Sequence, residues 1–167
     1  ITYCYLKKIS FWQLLDAAAP ACLLGVAIGR LGCLLNGCDY GTLVSDTSLW
    51  PKALSVKFSF LSPPGPRYPV QIIESLTCFI ISFFSVKNFK KTLSQRVPGF
   101  LGLRCFLAYA VLRFLNEFFR ADPRGWFIED VLSPSQALSL VLMTVCFYCL
   151  KKVKLGRDDL KKNLSPI

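Results

Sequence analysis

Two arginines stand where arginine is expensive. Arg30 and Arg113 lie inside long apolar runs. A charge at mid-membrane depth costs roughly 2.5–3.5 kcal/mol on insertion scales, so such residues usually line a polar cavity. Tyr109, Arg113, Glu117 and Arg120 follow one another at spacings of four, four and three. At about 100° per residue they share an arc of roughly 80° on one helix. Glu117 then partners Arg113 at i,i+4, and other donors of the guanidinium fork stay available for an anion. A phenol, two guanidiniums and a carboxylate in one line suit anion binding better than an isolated structural ion pair. Snorkelling to the headgroups is the competing explanation, and it is preferred for Arg104, nearer the inner end of the same segment.

Arg30 is preceded by Gly25-Val-Ala-Ile-Gly29 and followed by Leu31-Gly32. Small residues let a helix or a lipid headgroup approach the backbone closely. With an intramembrane arginine beside them they read as a pocket wall, and Asn36-Gly37 reads as the helix end. Arg67-Tyr-Pro69-Val-Gln71-Ile-Ile-Glu74 opens the next helix, with proline in its first turn and Glu74 directed into the bundle. Ser133-Pro-Ser-Gln136 opens another. For Gln71, Glu74 and Gln136 scaffold hydrogen bonding is weighed above direct catalysis.

Four segments must position these groups: 11–36, 69–86, 97–119 and 131–150. The last has twenty residues without a charge, the length that crosses about 30 Å of hydrocarbon. Backbone facing lipid has to satisfy its own hydrogen bonds, so all four are expected as helices. The fold class is an all-α integral membrane protein, a single domain over 1–167 with four transmembrane helices and a long outer loop, 37–68, between the first and second. Within that loop the alternation from Leu54 to Phe60 predicts a short strand or a segment lying along the membrane surface.

Composition agrees. Apolar types make up 53% of the 167 residues and charged types 18%, against roughly 25% charged in globular proteins. That excludes disorder, a secreted disulfide scaffold and a nucleic-acid module, despite the net charge of +10. Twelve of the 20 basic residues fall in three stretches: Lys7–Lys8, Lys87–Arg96 and Lys151–Lys162. Each abuts an apolar run, the pattern of cytoplasmic loops. The C-terminus and the basic tail 151–167 are therefore expected in the cytoplasm. The chain opens on Ile1 without a cleavable signal pattern, so it is expected to be the C-terminal part of a longer membrane protein.

Among the eight cysteines, Cys22, Cys78, Cys105, Cys146 and Cys149 are expected to pack as small hydrophobes. Cys33 and Cys38 flank the first helix end, and a disulfide between them is open if that compartment is oxidising. No metal site is expected, for want of histidine and of a second ligand pair.

Gly29-Arg30-Leu31-Gly32 with Asn36-Gly37 and Gly41, then Arg67-x-Pro69-x-Gln71-x-x-Glu74, Tyr109-x-x-x-Arg113-x-x-x-Glu117-Phe-Phe-Arg120-x-Asp122, and Ser133-x-x-Gln136-x-x-Ser139, resemble the prolipoprotein diacylglyceryl transferases. The resemblance covers nearly the whole chain and implies the last four of seven helices in a bacterial inner membrane. It also implies transfer of the diacylglyceryl group of phosphatidylglycerol to the lipobox cysteine of a preprolipoprotein signal peptide. A thioether forms and glycerol phosphate leaves, with no cofactor. By the same resemblance Arg113, Glu117 and Tyr109 are the catalytic set, while Arg30, Gly32, Asn36, Gly37, Glu74, Gln71 and Arg120 bind substrate. Cys33 and Cys38 stand where the family has asparagine and an acid, and Tyr68 stands for a histidine. The family's functional histidine belongs to an earlier helix. A diverged, non-catalytic phospholipid-binding or transport paralogue stays open, as does a purely structural membrane subunit.

Overall fold

The apolar runs become helices in the computed structural model, which describes residues 8–45, 50–58, 64–94, 98–121 and 132–163. Among these residues there are four α-helices: α1 Phe11–Asn36, α2 Val70–Ser94, α3 Phe100–Glu117 and α4 Pro134–Asn163. Three are long and apolar enough to cross a membrane, over Phe11–Asn36, Val70–Phe89 and Pro134–Lys154. Among the described residues the regular structure is all helical, with three helices able to span a membrane.

Three helices differ from expectation in their boundaries. α2 continues past Val86 because no helix breaker occurs before Pro98. α4 starts at Pro134, not 131, and runs through the basic segment to Asn163, since lysines and arginines are good helix formers. α3 is shorter than 97–119, starting after Gly99 and ending at Glu117. With 18 residues it is roughly 27 Å long. The loop 37–68 holds no regular strand among its described residues. It contains a 3-10 turn at Lys52–Leu54 and isolated antiparallel bridges of Arg67 to Leu43 and Val56. Residues 59 and 60 of the expected strand lie outside the described residues, as does most of the 120–130 loop.

Packing follows membrane logic. Leu24, Ile28, Phe79, Phe83, Phe84, Leu138 and Val141 point outward, while Glu74, Gln71, Arg113, Asn116 and several serines are buried. The core is made of small residues: Ala19, Leu23 and Ala27 of α1, Cys78 of α2, and Leu101 and Cys105 of α3. Without a hydrophobic drive between helices in lipid, close approach and interhelical hydrogen bonds hold a bundle together. Ser75 Oγ donates to Ala27 O and Ser82 Oγ to Pro20 O, both at 2.8 Å, which stitches α2 to α1. Cys78, Cys105 and Cys146 pack inside as expected, Cys149 is half-buried, and Cys22 is exposed. The glycine face of α1 does not meet a neighbour. A Cβ added at Gly25, Gly29 or Gly32 would touch nothing within 4 Å among the described residues.

Asp16 anchors α3 to α1. Its two carboxylate oxygens accept the backbone N–H groups of Gly99 and Gly102, each at 2.7 Å. An anion there meets the unsatisfied amides and the positive end of the α3 dipole. Glycine is required at the turn, because Gly99 has φ +88° and Trp12 lies over it. Asp16→Ala would strand two buried amides. It is expected to lower stability by about 3 kcal/mol, read as the shift in thermal unfolding of detergent-solubilised protein.

Candidate functional site

The C-terminal ends of α1 and α3 and the N-terminal part of α2 meet around a chain of alternating charges. α1 terminates at Gly37, whose left-handed φ of 69° lets its N–H and that of Cys38 bond back to Leu34 O and Cys33 O. This is the glycine-capped helix end that the Asn36-Gly37 pair announces. The chain leaves α1 through Asp39, also left-handed at φ 58°, which turns that carboxylate back toward the helices.

Asp39 then bridges two arginines. Arg30 Nη1 donates to Asp39 Oδ2, and Arg120 Nη2 donates to Asp39 Oδ1 at 2.6 Å. Arg30 Nε pairs with Glu74 Oε2 of α2 at 3.0 Å. Glu74, 1% exposed, also accepts Asn116 Nδ2 at 3.0 Å and the Tyr109 hydroxyl at 3.5 Å. On α3, Arg113 Nη2 meets Glu117 Oε2 at 2.7 Å, the i,i+4 pair expected from spacing. It also donates to Ser135 Oγ of α4 at 2.9 Å. Arg120 Nε stands 3.8 Å from the same Glu117 oxygen. Arg113, Glu117, Arg120, Asp39, Arg30 and Glu74 thus form one continuous network of opposite charges. Tyr109 lies within electrostatic reach of both Arg30 and Arg113.

Three polar atoms in this region are buried without a hydrogen-bond partner among the described residues: Arg113 Nη1, Gln71 Oε1 and Glu117 Oε2, the last held by its ion pair with Arg113 alone at close range. Gln71 uses its amide nitrogen, donating to Cys38 O at 2.9 Å. Arg113 uses one side of its fork and keeps the other. The side chains of Arg30 and Arg113 are only 15% and 9% exposed, so neither is a snorkelling residue. Arg104 is exposed and stacks over Phe100 at 5.5 Å.

Several placements depart from the expected stripe. Arg120 lies beyond the end of α3, in a turn whose backbone bridges to Gly41. Its approach to Asp39 comes from that turn and not from helical register. Tyr109 points to Glu74 rather than along the arginine line. Asn36 and Gly32 are exposed, and Asn36 enters none of the network's hydrogen bonds among the described residues. Gly37 acts through its backbone. Gln136 caps its own helix, with Oε1 accepting Ser133 N at 3.0 Å and its N–H reaching Ser133 Oγ at 3.2 Å, a reciprocal capping box. Ser133 Oγ also donates to Glu117 Oε1 at 3.0 Å.

Sequence reasoning passed over three members. Asp39 had a signal, an acid directly after a glycine-capped helix end that carries an arginine two turns earlier. Asn116 had one too, an amide beside Glu117 inside an apolar helix. Ser135 had none beyond its place near a helix start.

A family model described as prolipoprotein diacylglyceryl transferase matches residues 1–151. The chain belongs to the prolipoprotein diacylglyceryl transferase family. The phosphatidylglycerol–prolipoprotein diacylglyceryl transferase 2 of Clostridium perfringens (strain 13 / Type A) is 33% identical over 171 residues, covering 95% of this chain and 60% of the relative. The transferase of Helicobacter hepaticus is 33% identical over 150 residues, 89% of the chain and 49% of the relative. That of Clostridium tetani is 31% identical over 148 residues, 86% and 54% respectively. The chain therefore spans about half the length of the curated transferases it matches. In this chain the ion-pair network is built by α1, α2, α3 and the turns that follow α1 and α3.

Proposed function

We propose that the protein transfers the diacylglyceryl group of phosphatidylglycerol to the lipobox cysteine of a preprolipoprotein, in a bacterial inner membrane and with the C-terminus in the cytoplasm. α3 is read as a fourth span, with Arg113 and Glu117 sheltered by the bundle and Arg104 exposed nearer its other end. The observation that carries the reading is the buried, unpartnered Nη1 of Arg113. A guanidinium held rigid by Glu117 and Ser135, with its other nitrogen open, is a preorganised donor for an anion at membrane depth.

The step follows from that donor. The acceptor thiolate attacks the glyceryl carbon bonded to the phosphate oxygen. A C–S bond forms, the C–O bond breaks, and the electron pair leaves with glycerol phosphate. The departing phosphate gains negative charge, so donors fixed before the reaction stabilise the transition state more than the bound lipid. Arg113 and Arg30 take the phosphate. Glu117 and Tyr109 orient them, Glu74 holds Arg30 from behind, and Arg120 adds a third guanidinium. Gln71 and the Gly37 turn shape the wall below. The nucleophile belongs to the substrate, so none of the chain's own thiols has to react.

The test is direct. Full-length protein in liposomes of phosphatidylglycerol labelled in its acyl chains, given a lipobox peptide, is expected to yield labelled peptide and free glycerol phosphate in equal amounts. Binding of the lipid without either product would mean a carrier rather than a transferase and would overturn the reading.

A further inference from the structure

The helix end that carries Asp39 also holds two thiols together. In a glycine-capped end of this type the residue three from the last helical position and the second residue beyond it come into side-chain contact. The backbone bond that defines the pairing, Cys38 N to Cys33 O at 3.0 Å, is present. Both positions are cysteine. Their sulfurs and a carboxylate oxygen of Asp39 all lie within 4.8 Å of one another, and Cys38 Sγ reaches Cys33 O at 3.7 Å. Both are free thiols and half-buried, so solutes can reach them. A cation on these three ligands would have to take Asp39 away from the two guanidiniums that already share it. Thiol–disulfide exchange requires no such displacement.

We propose that Cys33 and Cys38 are a reversible disulfide site, and that closing it clamps Asp39 across Arg30 and Arg120. The oxidant is a small or protein disulfide. One thiolate attacks a sulfur of that disulfide and releases a thiol, and the second thiolate then attacks the protein-bound sulfur and releases the other. Two protein thiols become one S–S bond, one external disulfide becomes two thiols, and the protons go to the released thiolates. Asp39 is the next residue, and the Cys38 carbonyl is held by Gln71, so a covalent tie at Cys38 restrains the carboxylate that occupies both arginines. The reduced turn lets Asp39 yield to a competing anion more readily. The proposal rests on this local geometry and does not depend on the transfer reaction.

The test uses full-length protein equilibrated over a series of oxidised-to-reduced glutathione ratios, quenched in acid, alkylated and mapped by mass spectrometry. A Cys33–Cys38 linked peptide is expected at oxidising ratios, and two alkylated thiols at reducing ones. In the oxidised protein Arg30 and Arg120 should react with phenylglyoxal at least threefold more slowly than in the reduced one. The Cys33→Ser/Cys38→Ser protein should lose that redox dependence. Full alkylation of both cysteines at every ratio would overturn the site. A disulfide that leaves both arginines equally reactive would overturn the clamp.

Discussion

Arg113→Lys in the full-length protein is expected to lower the rate of diacylglyceryl transfer by about 10²-fold with little change in folding. A lysine carries its charge on a single nitrogen. Arg113 instead divides its work between two, Nη2 committed to Glu117 at 2.7 Å and Ser135 at 2.9 Å, and Nη1 buried and open. The ammonium of a lysine would settle on Glu117, where the Coulomb attraction is already built, and present nothing to the phosphate. Charge is thereby conserved and geometry lost, which separates bidentate recognition from simple electrostatic attraction. The loss should fall mainly on kcat, because the charge that needs the second donor develops as the phosphate departs. Thermal unfolding in detergent, run beside the turnover assay, shows whether the variant folds. Transfer at the wild-type rate by a folded Arg113→Lys protein would remove Nη1 from the chemistry.

Glu74→Ala is expected to cost about 3–5 kcal/mol of stability, the range for removing one partner of a buried ion pair. Glu74 is 1% exposed and holds Arg30, Asn116 and Tyr109 at once. Its loss leaves the Arg30 guanidinium with Asp39 alone, the Asn116 amide with only Val70 O at 3.3 Å, and the Tyr109 phenol without this acceptor. Arg30→Leu combined with Glu74→Leu removes both charges, so the double variant should be markedly more stable than the sum of its single variants. Denaturant titration of the four proteins in detergent gives the coupling. Additive losses would mean that Glu74 and Arg30 do not act as a pair. The variants should also be inactive, since Arg30 without Glu74 is free to turn away from the phosphate.

Helix boundaries show how far local chemistry reaches. The end of α1 at Gly37, the opening of α2 next to Pro69, and the uncharged run of α4 from Pro134 to Leu150 were legible because each depends on groups a few residues apart. Arg113–Glu117 was legible for the same reason. The early end of α3 was not, because the residues after Glu117 are drawn into a turn by Tyr40 and Thr42, whose backbones bond to that segment on either side of the Gly41–Arg120 bridge. Helix faces were harder still. In lipid the outer surface is as apolar as the interior, so hydrophobic periodicity loses its contrast. The exposed glycines of α1 are a case in point: spacing alone suggested a contact face, and the described neighbours pack on the opposite side.

From its residues alone this chain was legible as a helical membrane protein, with Arg30 and Arg113 marked as candidates for an anion site. The determining facts are local: the length of apolar runs, the cost of a buried guanidinium, and the i,i+4 reach to Glu117. Tertiary structure decided which carboxylate holds which arginine. Glu74 answers Arg30 across forty-four positions, Asp39 joins Arg30 to Arg120, and Asp16 caps a helix eighty-three residues away. Such partners are chosen by the crossing of helices and the hand of one turn, and nothing in the spacing of residues along the chain encodes either.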